Sequence, residues 1–159
     1  MPKSTTKKIN ENEVKDYLNL LCFRDLSSYD GILNWNTEII VKIFREKKIQ
    51  YTMEKIIFWD NFQNSKLSFD DDFKALIFKG ANPSDQYIIL TNLFDKYAVD
   101  ILFEDFDQMA DHIFEMDFFQ PNDYLFINVS KESIVGLHHS GYIVKSQCMG
   151  KILPGVYFT

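Results

Sequence analysis

Cysteine, glycine and long apolar runs, which mark many specialised protein classes, are scarce in this chain. Its 159 residues include two cysteines, Cys22 and Cys148, which are far apart and have no metal-binding or redox spacing. This excludes a disulfide-rich secreted scaffold and favours a reducing compartment. No apolar run approaches the roughly 20 residues that span a bilayer, and "MPKSTTKKINENE" lacks the apolar core of a signal peptide. We therefore expect a cytoplasmic protein without membrane contacts.

Motifs for catalysis and ligand binding are also missing. The six glycines form neither G-x-G-x-x-G nor G-x-x-x-x-G-K, so the sequence predicts no phosphate-binding loop. An EF-hand pattern and zinc-ligand spacings are absent as well. His112-x-x-Glu115 occurs once and in reversed order, whereas a helical di-iron site uses paired Glu-x-x-His motifs. We expect no metal, no cofactor and no catalytic residue.

The composition is that of one globular domain. Hydrophobic residues make up 46% and aromatic residues 16%, with fifteen phenylalanines. A chain of this length can bury roughly two-thirds of its unfolded surface, so it needs no disulfide or metal to fold. We expect a single domain over 1–159, with the polar residues 1–10 frayed.

Apolar residues recur at helical spacing in two segments near the N-terminus. The first segment is "NENEVKDYLNLLCF", with one side formed by Val14, Tyr17, Leu18 and Leu21. The second is "NTEIIVKIFREKK", with a cap at Asn36 and one side formed by Ile39, Ile40, Ile43 and Phe44. Between them, Asp30-Gly31 predicts a turn. "YTMEKIIFWDNF" is interpreted as a third helix capped by Thr52, with a strand as the alternative.

The remainder of the chain favours strands. We predict strands over 75–79 and 97–105, while 86–94 fits either a helix or a strand. Residues 123–130 and 133–146 are interpreted as two antiparallel strands joined by the turn "SKES", and the chain ends in a short apolar strand. This order predicts an α+β fold in which N-terminal helices pack against a mostly antiparallel sheet.

The charge is distributed unevenly. The net charge is −6, and residues 97–159 alone hold three basic and nine acidic residues. No Lys or Arg occurs from 97 to 130, and "EDFDQMADHIFEMDFF" (104–119) carries six carboxylates. An acidic field disfavours nucleic acid and anionic membranes as partners and favours basic proteins.

Within this stretch we predict an amphipathic helix over 104–116. Residues three and four apart share a helix face, so carboxylates form one stripe and apolar residues (Phe106, Met109, Ala110 and Ile113) form another. Like charges on one face repel each other by about 0.2–0.5 kcal/mol per pair. A partner-binding surface would account for this cost, and we assign to it Glu104, Asp107, Asp111, Glu115, Asp117, Phe118, Phe119 and Asp123. The alternative is a solvated face that only keeps the protein soluble.

"GLHHSGY" holds two adjacent histidines. On a strand, His138 and His139 would point to opposite faces, so at most one faces the core. A nucleophilic pair with Cys148 is conceivable, but the sequence gives no sign of an activated cysteine.

Trp35 is interpreted as a core residue.

These features resemble those of small cytosolic bacterial immunity proteins, which bind and neutralise a cognate toxin domain. The resemblance lies in the short, acidic, aromatic-rich single domain without a catalytic motif. It implies a non-catalytic binding module that inhibits a basic toxin, such as a nuclease. Two alternatives remain: a regulatory or scaffold module, and a small enzyme whose site is assembled from separated residues such as His112, His138, His139 and Cys148.

Overall fold

The computed structural model describes residues 6–21, 23–55, 78, 80–91, 96–105, 123–138, 140 and 142–147. Within these residues lie the α-helices α1 (Glu11–Asn19) and α2 (Thr37–Glu46), and the 3-10 helices Arg24–Ser28 and Ile32–Asn34. Seven strands are β1 (Lys7–Ile9), β2 (Thr52–Lys55), β3 (Gln86–Thr91), β4 (Ala98–Leu102), β5 (Tyr124–Asn128), β6 (Ser133–Leu137) and β7 (Tyr142–Gln147). No helix in this part of the chain has the length and apolarity that a membrane crossing requires.

The seven strands form one sheet in the order β1-β4-β3-β5-β6-β7-β2. Every neighbouring pair is antiparallel. The predicted α+β class, with N-terminal helices and a mostly antiparallel sheet, is therefore confirmed. Strands β4 and β5 lie on either side of β3.

One face of the sheet packs against α1, α2 and the two 3-10 helices. Alternate strand residues such as Ile88, Leu125 and Ile134 join Leu18 and Phe44 of the helices in one buried cluster. The opposite face is buried as well, with Tyr87, Ile89 and Phe126 in a second cluster. Because residues on both faces are buried, β5 is buried at all five positions.

Helix α1 begins with a capping box. Asn10 accepts a hydrogen bond from the Glu13 backbone N–H through its side chain, and Glu13 accepts one from the Asn10 backbone. Helix α2 begins in a related way, because the Asn36 side chain accepts from the backbone of Ile39. Both caps satisfy N–H groups that have no partner inside the helix. The predicted cap at Asn36 is confirmed.

Helix α2 ends in a Schellman motif. The Ile49 N–H donates to the carbonyl of Phe44 at 2.8 Å, and Lys48 adopts a left-handed backbone with φ of 56°. This position usually holds glycine, since a side chain there contacts the following carbonyl oxygen. Lys48 therefore carries local strain that the hydrogen bonds of the helix end offset.

Three elements differ from the sequence prediction because tertiary pairing determines them. Residues 52–55 form an edge strand, β2, paired with β7, rather than the start of a third helix. Residues 7–9 form an edge strand paired with β4 rather than a frayed terminus, with Ile9 buried. Residues 133–146 form two strands, because the chain turns back between Leu137 and Ile143, which pair with each other.

Other predictions are resolved residue by residue. The ambiguous segment 86–94 is a strand over Gln86–Thr91. The strand predicted over 97–105 is confirmed over Ala98–Leu102, which is β4, whereas residues 103–105 are helical. Gly31 has φ of 74° in the predicted turn, and Trp35 is buried as expected. Phe78, predicted to lie in a strand, is in a turn. The rest of 75–79 and the C-terminal strand lie outside the described residues.

Helix α2 offers a matched pair for testing the helix–sheet packing. Ile40 is 1% exposed, whereas its neighbour Ile39, predicted to share the buried side, is 38% exposed. Ile40→Ala should lower the free energy of unfolding by about 2–5 kcal/mol, and Ile39→Ala by at most about 1 kcal/mol. Urea denaturation measures both, and equal losses would contradict the described orientation of α2.

The end of α2 gives a second pair. Lys48→Gly should raise the free energy of unfolding by about 0.5–1 kcal/mol, because glycine adopts a positive φ without steric cost. Lys47→Gly should lower it, since Lys47 has φ of −94° and glycine there only adds freedom to the unfolded chain. Thermal unfolding of the two variants should therefore shift in opposite directions.

Candidate functional site

Of the predicted partner-binding residues, Glu104 and Asp123 lie within the described part of the chain. Residues 103–105 are helical, Glu104 is exposed and Asp123 is half-buried. The remaining residues assigned to this surface, and most of the predicted helix over 104–116, lie outside the described residues: Asp107, Asp111, Glu115, Asp117, Phe118 and Phe119.

The register of β3 places Glu104 and Asp123 at opposite ends of the sheet. Glu104 follows Leu102, whose partner is Gln86 at the start of β3. Asp123 precedes Tyr124, whose partner is Thr91 at the end of β3. Strands rise about 3.3 Å per residue, so the two ends lie roughly 16 Å apart. The structure therefore does not bring these two carboxylates together.

Glu104 belongs to a corner of the sheet formed by residues 82–85, 103–105 and 128–132, which we call the Glu104 corner. Two backbone hydrogen bonds anchor the helical start here: Phe103 N–H donates to the Asp85 carbonyl at 2.8 Å, and Glu104 N–H donates to the Pro83 carbonyl at 3.1 Å. The acidic stretch thus leaves the sheet from a fixed position.

Asp85 organises the interior of the Glu104 corner. Its side chain is almost fully buried and accepts hydrogen bonds from the Asn82 backbone N–H and the Asn128 amide, both at 3.1 Å. The Lys131 ammonium lies 3.3 Å from the same carboxylate. Burial acts to raise the pKa of Asp85, but these hydrogen bonds and the lysine outweigh it and lower the pKa below its ordinary value.

Lys131 is directed inward at this corner. Besides its ion pair with Asp85, its ammonium donates to the carbonyl oxygen of Gly80. It is also the first basic residue after Lys96 in the sequence. Lys131 is thus the first positive charge after the acidic stretch, and the internal carboxylate of Asp85 engages it. The Glu104 side chain, by contrast, faces solvent.

A second buried carboxylate, Asp100, lies on the helix-packed face of β4. Tyr17 of α1 donates to it at 2.7 Å, and the Gln86 amide donates to it at 2.8 Å. Burial, followed by the hydrogen bond to Asp100, raises the pKa of Tyr17. Lys7 of β1 lies 3.9 Å away. These contacts join α1 to three strands, and we assign them a structural role.

At the opposite end of the sheet, three side chains form what we call the imidazole cluster: Glu38, His138 and Ser140. His138 Nε2 lies 2.8 Å from a carboxylate oxygen of Glu38, which is in the first turn of α2. His138 Nδ1 lies 2.5 Å from Ser140 Oγ. His138 is buried, in agreement with the prediction that one histidine of the pair faces the core, while His139 lies outside the described residues.

Neither Glu38 nor Ser140 was identified from the sequence. Glu38 and His138 are 100 residues apart, so no local pattern connects them. Asp85 and Asp100 were also missed, although Asp100 had a detectable signal. It interrupts the apolar strand pattern "YAVDILF", which indicates either exposure or a buried polar partner.

Groups of three or more potential metal-binding side chains are not found among the described residues. Comparisons of the whole chain with protein-family models, with curated proteins and with solved structures found no match.

The Asp85 network predicts a pH-dependent contribution to stability. A carboxyl group whose pKa is lower in the folded state stabilises the fold above its unfolded pKa, near 3.9, and this contribution is lost as pH falls through the folded pKa. Asp85→Asn should therefore lower the free energy of unfolding by about 1–3 kcal/mol at neutral pH. The difference from the unmodified protein should shrink below about pH 4.

Urea denaturation at neutral and acidic pH measures this difference. Glu104→Gln is the matched control, because it removes an exposed carboxylate at the same corner and should change stability by no more than about 0.5 kcal/mol. A pH-independent loss in Asp85→Asn would contradict the assigned role of the carboxylate.

Proposed function

We propose that this chain is a cytoplasmic binding protein of the immunity type, which neutralises a basic toxin domain through an acidic surface and does so by binding alone, without catalysis. The supporting observation is the Glu104 corner. The acidic stretch begins there from a backbone anchored to the sheet, with Glu104 exposed and Lys131 drawn inward by Asp85. An internal carboxylate thus engages a cation that could otherwise neutralise the surface.

A basic partner accounts for the charge arrangement better than the other partner classes. Exposed carboxylates steer a cationic protein toward the complex and accelerate association. The same field repels the phosphates of nucleic acids and anionic lipids. A nuclease domain is a suitable partner, because its substrate-binding surface must itself be positively charged.

We assign to the same surface the carboxylates that follow Glu104 in the sequence, and we propose two phenylalanines as its apolar anchors. The carboxylates are Asp107, Asp111, Glu115 and Asp117, and the anchors are Phe118 and Phe119. Aromatic residues are enriched in the centres of protein interfaces, and charged residues around them govern the rate of association. Asp123 lies at the other end of the sheet and would contribute only if the interface spans that distance.

A regulatory or scaffold module is the second candidate for this surface. Both functions involve binding without chemistry, and they differ in whether the partner is a toxic enzyme. Co-expression with the captured partner distinguishes them, because an immunity protein protects growth and inhibits the partner's activity in a purified assay, whereas a scaffold does neither.

The first test is affinity purification of partners from the native cell, with a charge-reversed variant in parallel. In that variant, Glu104, Asp107 and Asp111 are each replaced by Lys. A basic partner should be recovered with the unmodified protein and lost with the variant, because the reversed charges repel it. Reversal of Asp16, Asp25 and Asp30 on the N-terminal segment gives the matched control with the same change in net charge.

With the purified partner, association kinetics should be measured at low and moderate salt. The charge-reversed variant should associate at least about tenfold more slowly at low salt, and its rate should depend less on salt, while the control variant should differ little. Circular dichroism verifies folding of both variants. An unchanged association rate in a folded variant, or an acidic partner, would contradict the proposal and leave the acidic stretch as a solvated face.

A further inference from the structure

The imidazole cluster combines three groups in an order that activates a hydroxyl. A carboxylate (Glu38) contacts one ring nitrogen of His138 at 2.8 Å, and a hydroxyl (Ser140) contacts the other at 2.5 Å. A nucleophile within hydrogen-bond reach of a base, which is in turn oriented by a third group, is the arrangement that characterises activated serine residues.

The hydrogen bonds determine which nitrogen of His138 carries the proton. The backbone N–H of Ser140 donates to Nδ1 at 3.1 Å, and a backbone N–H can only donate. Nδ1 is therefore the acceptor, and the proton of the neutral ring is on Nε2, where it is donated to Glu38. The unprotonated Nδ1 is positioned to accept the hydroxyl proton of Ser140.

The surroundings hold the ring in place and leave the hydroxyl partly accessible. His138 is buried at the end of β6, where its backbone N–H donates to the Tyr142 carbonyl at 2.9 Å. Ser140 is half-buried, and the Glu38 side chain is 71% exposed. Glu38 occupies the first turn of α2, where the helix dipole favours its negative charge.

The charges at this end favour uncharged or cationic compounds. Glu38 contacts the ring directly, and continuing the β5–β6 register by one residue brings Asp123 level with His138. Two carboxylates at this end of the sheet disfavour the approach of anionic substrates.

We propose that Ser140 is a reactive nucleophile toward uncharged or cationic carboxylic esters, with His138 as general base and Glu38 as the positioning residue that holds the imidazole. This reactivity is separate from the proposed partner binding, because the imidazole cluster and the Glu104 corner lie at opposite ends of the sheet. Failure of one proposal leaves the other standing.

The reaction conserves atoms and electrons without a further reagent. Ser140 Oγ forms a bond to the carbonyl carbon of the ester as its proton passes to His138 Nδ1, and Glu38 stabilises the resulting imidazolium. The carbon–oxygen bond to the alcohol then breaks, and the departing oxygen takes the proton from Nδ1. An acyl ester of Ser140 remains, and attack by water releases the acid and restores the hydroxyl.

The experiment uses the full chain and p-nitrophenyl acetate, an uncharged ester. Release of p-nitrophenol gives the rate, and peptide mapping by mass spectrometry locates the acetyl group. We expect acetylation of Ser140 and not of Ser28, an exposed serine whose hydroxyl donates to the backbone carbonyl of Asp25. Ser140→Ala should abolish this adduct, while Ser28→Ala should leave the rate unchanged.

Two further variants test the roles of the neighbours. His138→Gln should slow acetylation of Ser140 by about a hundredfold or more, which is the usual contribution of a general base. Glu38→Gln should slow acetylation of Ser140, because the imidazole loses the carboxylate that orients it, and Glu38→Asp, which keeps a carboxylate, should restore part of the rate. A merely structural role for Glu38 would leave the rate unchanged in both folded variants.

Unfolding curves verify that each variant is folded. If His138→Gln does not fold, peptide mapping of the unmodified protein and the acetylation rates of Glu38→Gln and Glu38→Asp still test the proposal. The proposal is overturned if Ser140 is acetylated no faster than Ser28, if the acetyl group resides on His138 alone, or if a folded His138→Gln protein reacts at the original rate.

Discussion

The burial of both faces of the central strands is the constraint on which the rest of the structure depends. Every residue of β5 is buried, and so are five of the six residues of β3. One face receives the N-terminal helices, and the other carries the aromatic cluster that includes Tyr87 and Phe126. Burial raises the pKa of Tyr87 to about 12. Successive side chains of a pleated strand point to opposite faces of the sheet. Each polar residue at a strand end therefore faces one particular layer, either the helices or the aromatic cluster.

This arrangement explains which partners the two buried carboxylates of this acidic chain have. Asp100 faces the helices and is bound by Tyr17 and Gln86, whereas Asp85 faces the other layer and is bound by Asn128 and Lys131. A buried carboxylate without such partners would cost several kcal/mol. Lys131 is thereby engaged by Asp85, while the carboxylate of Glu104 remains exposed on the surface. The internal electrostatics of the fold and the acidity of its surface are therefore linked.

The two ends of the sheet are chemically different. At the Glu104 corner, backbone hydrogen bonds fix the start of an acidic stretch, which is suited to contact with a basic surface. At the other end, α2 and the β6–β7 connection bring a carboxylate, an imidazole and a hydroxyl together. The first arrangement offers charge over an extended surface, and the second offers oriented groups at a single point. This division is why the proposed binding and the proposed reactivity can be tested separately.

The sequence by itself determined the fold class, helices α1 and α2 with the Asn36 cap, and strand β4, because caps and apolar periodicity are local signals. It did not determine β1 and β2, since polar edge strands exist through pairing with β4 and β7 and carry little pattern of their own. It left β3 ambiguous because a strand buried on both faces loses its alternation. The sequence showed the acidic stretch as a run of carboxylates. The tertiary structure showed that the start of this stretch is anchored to one end of the sheet. The contact between Glu38 and His138 was decided only by tertiary structure, because packing α2 on the sheet is what joins residues 100 positions apart.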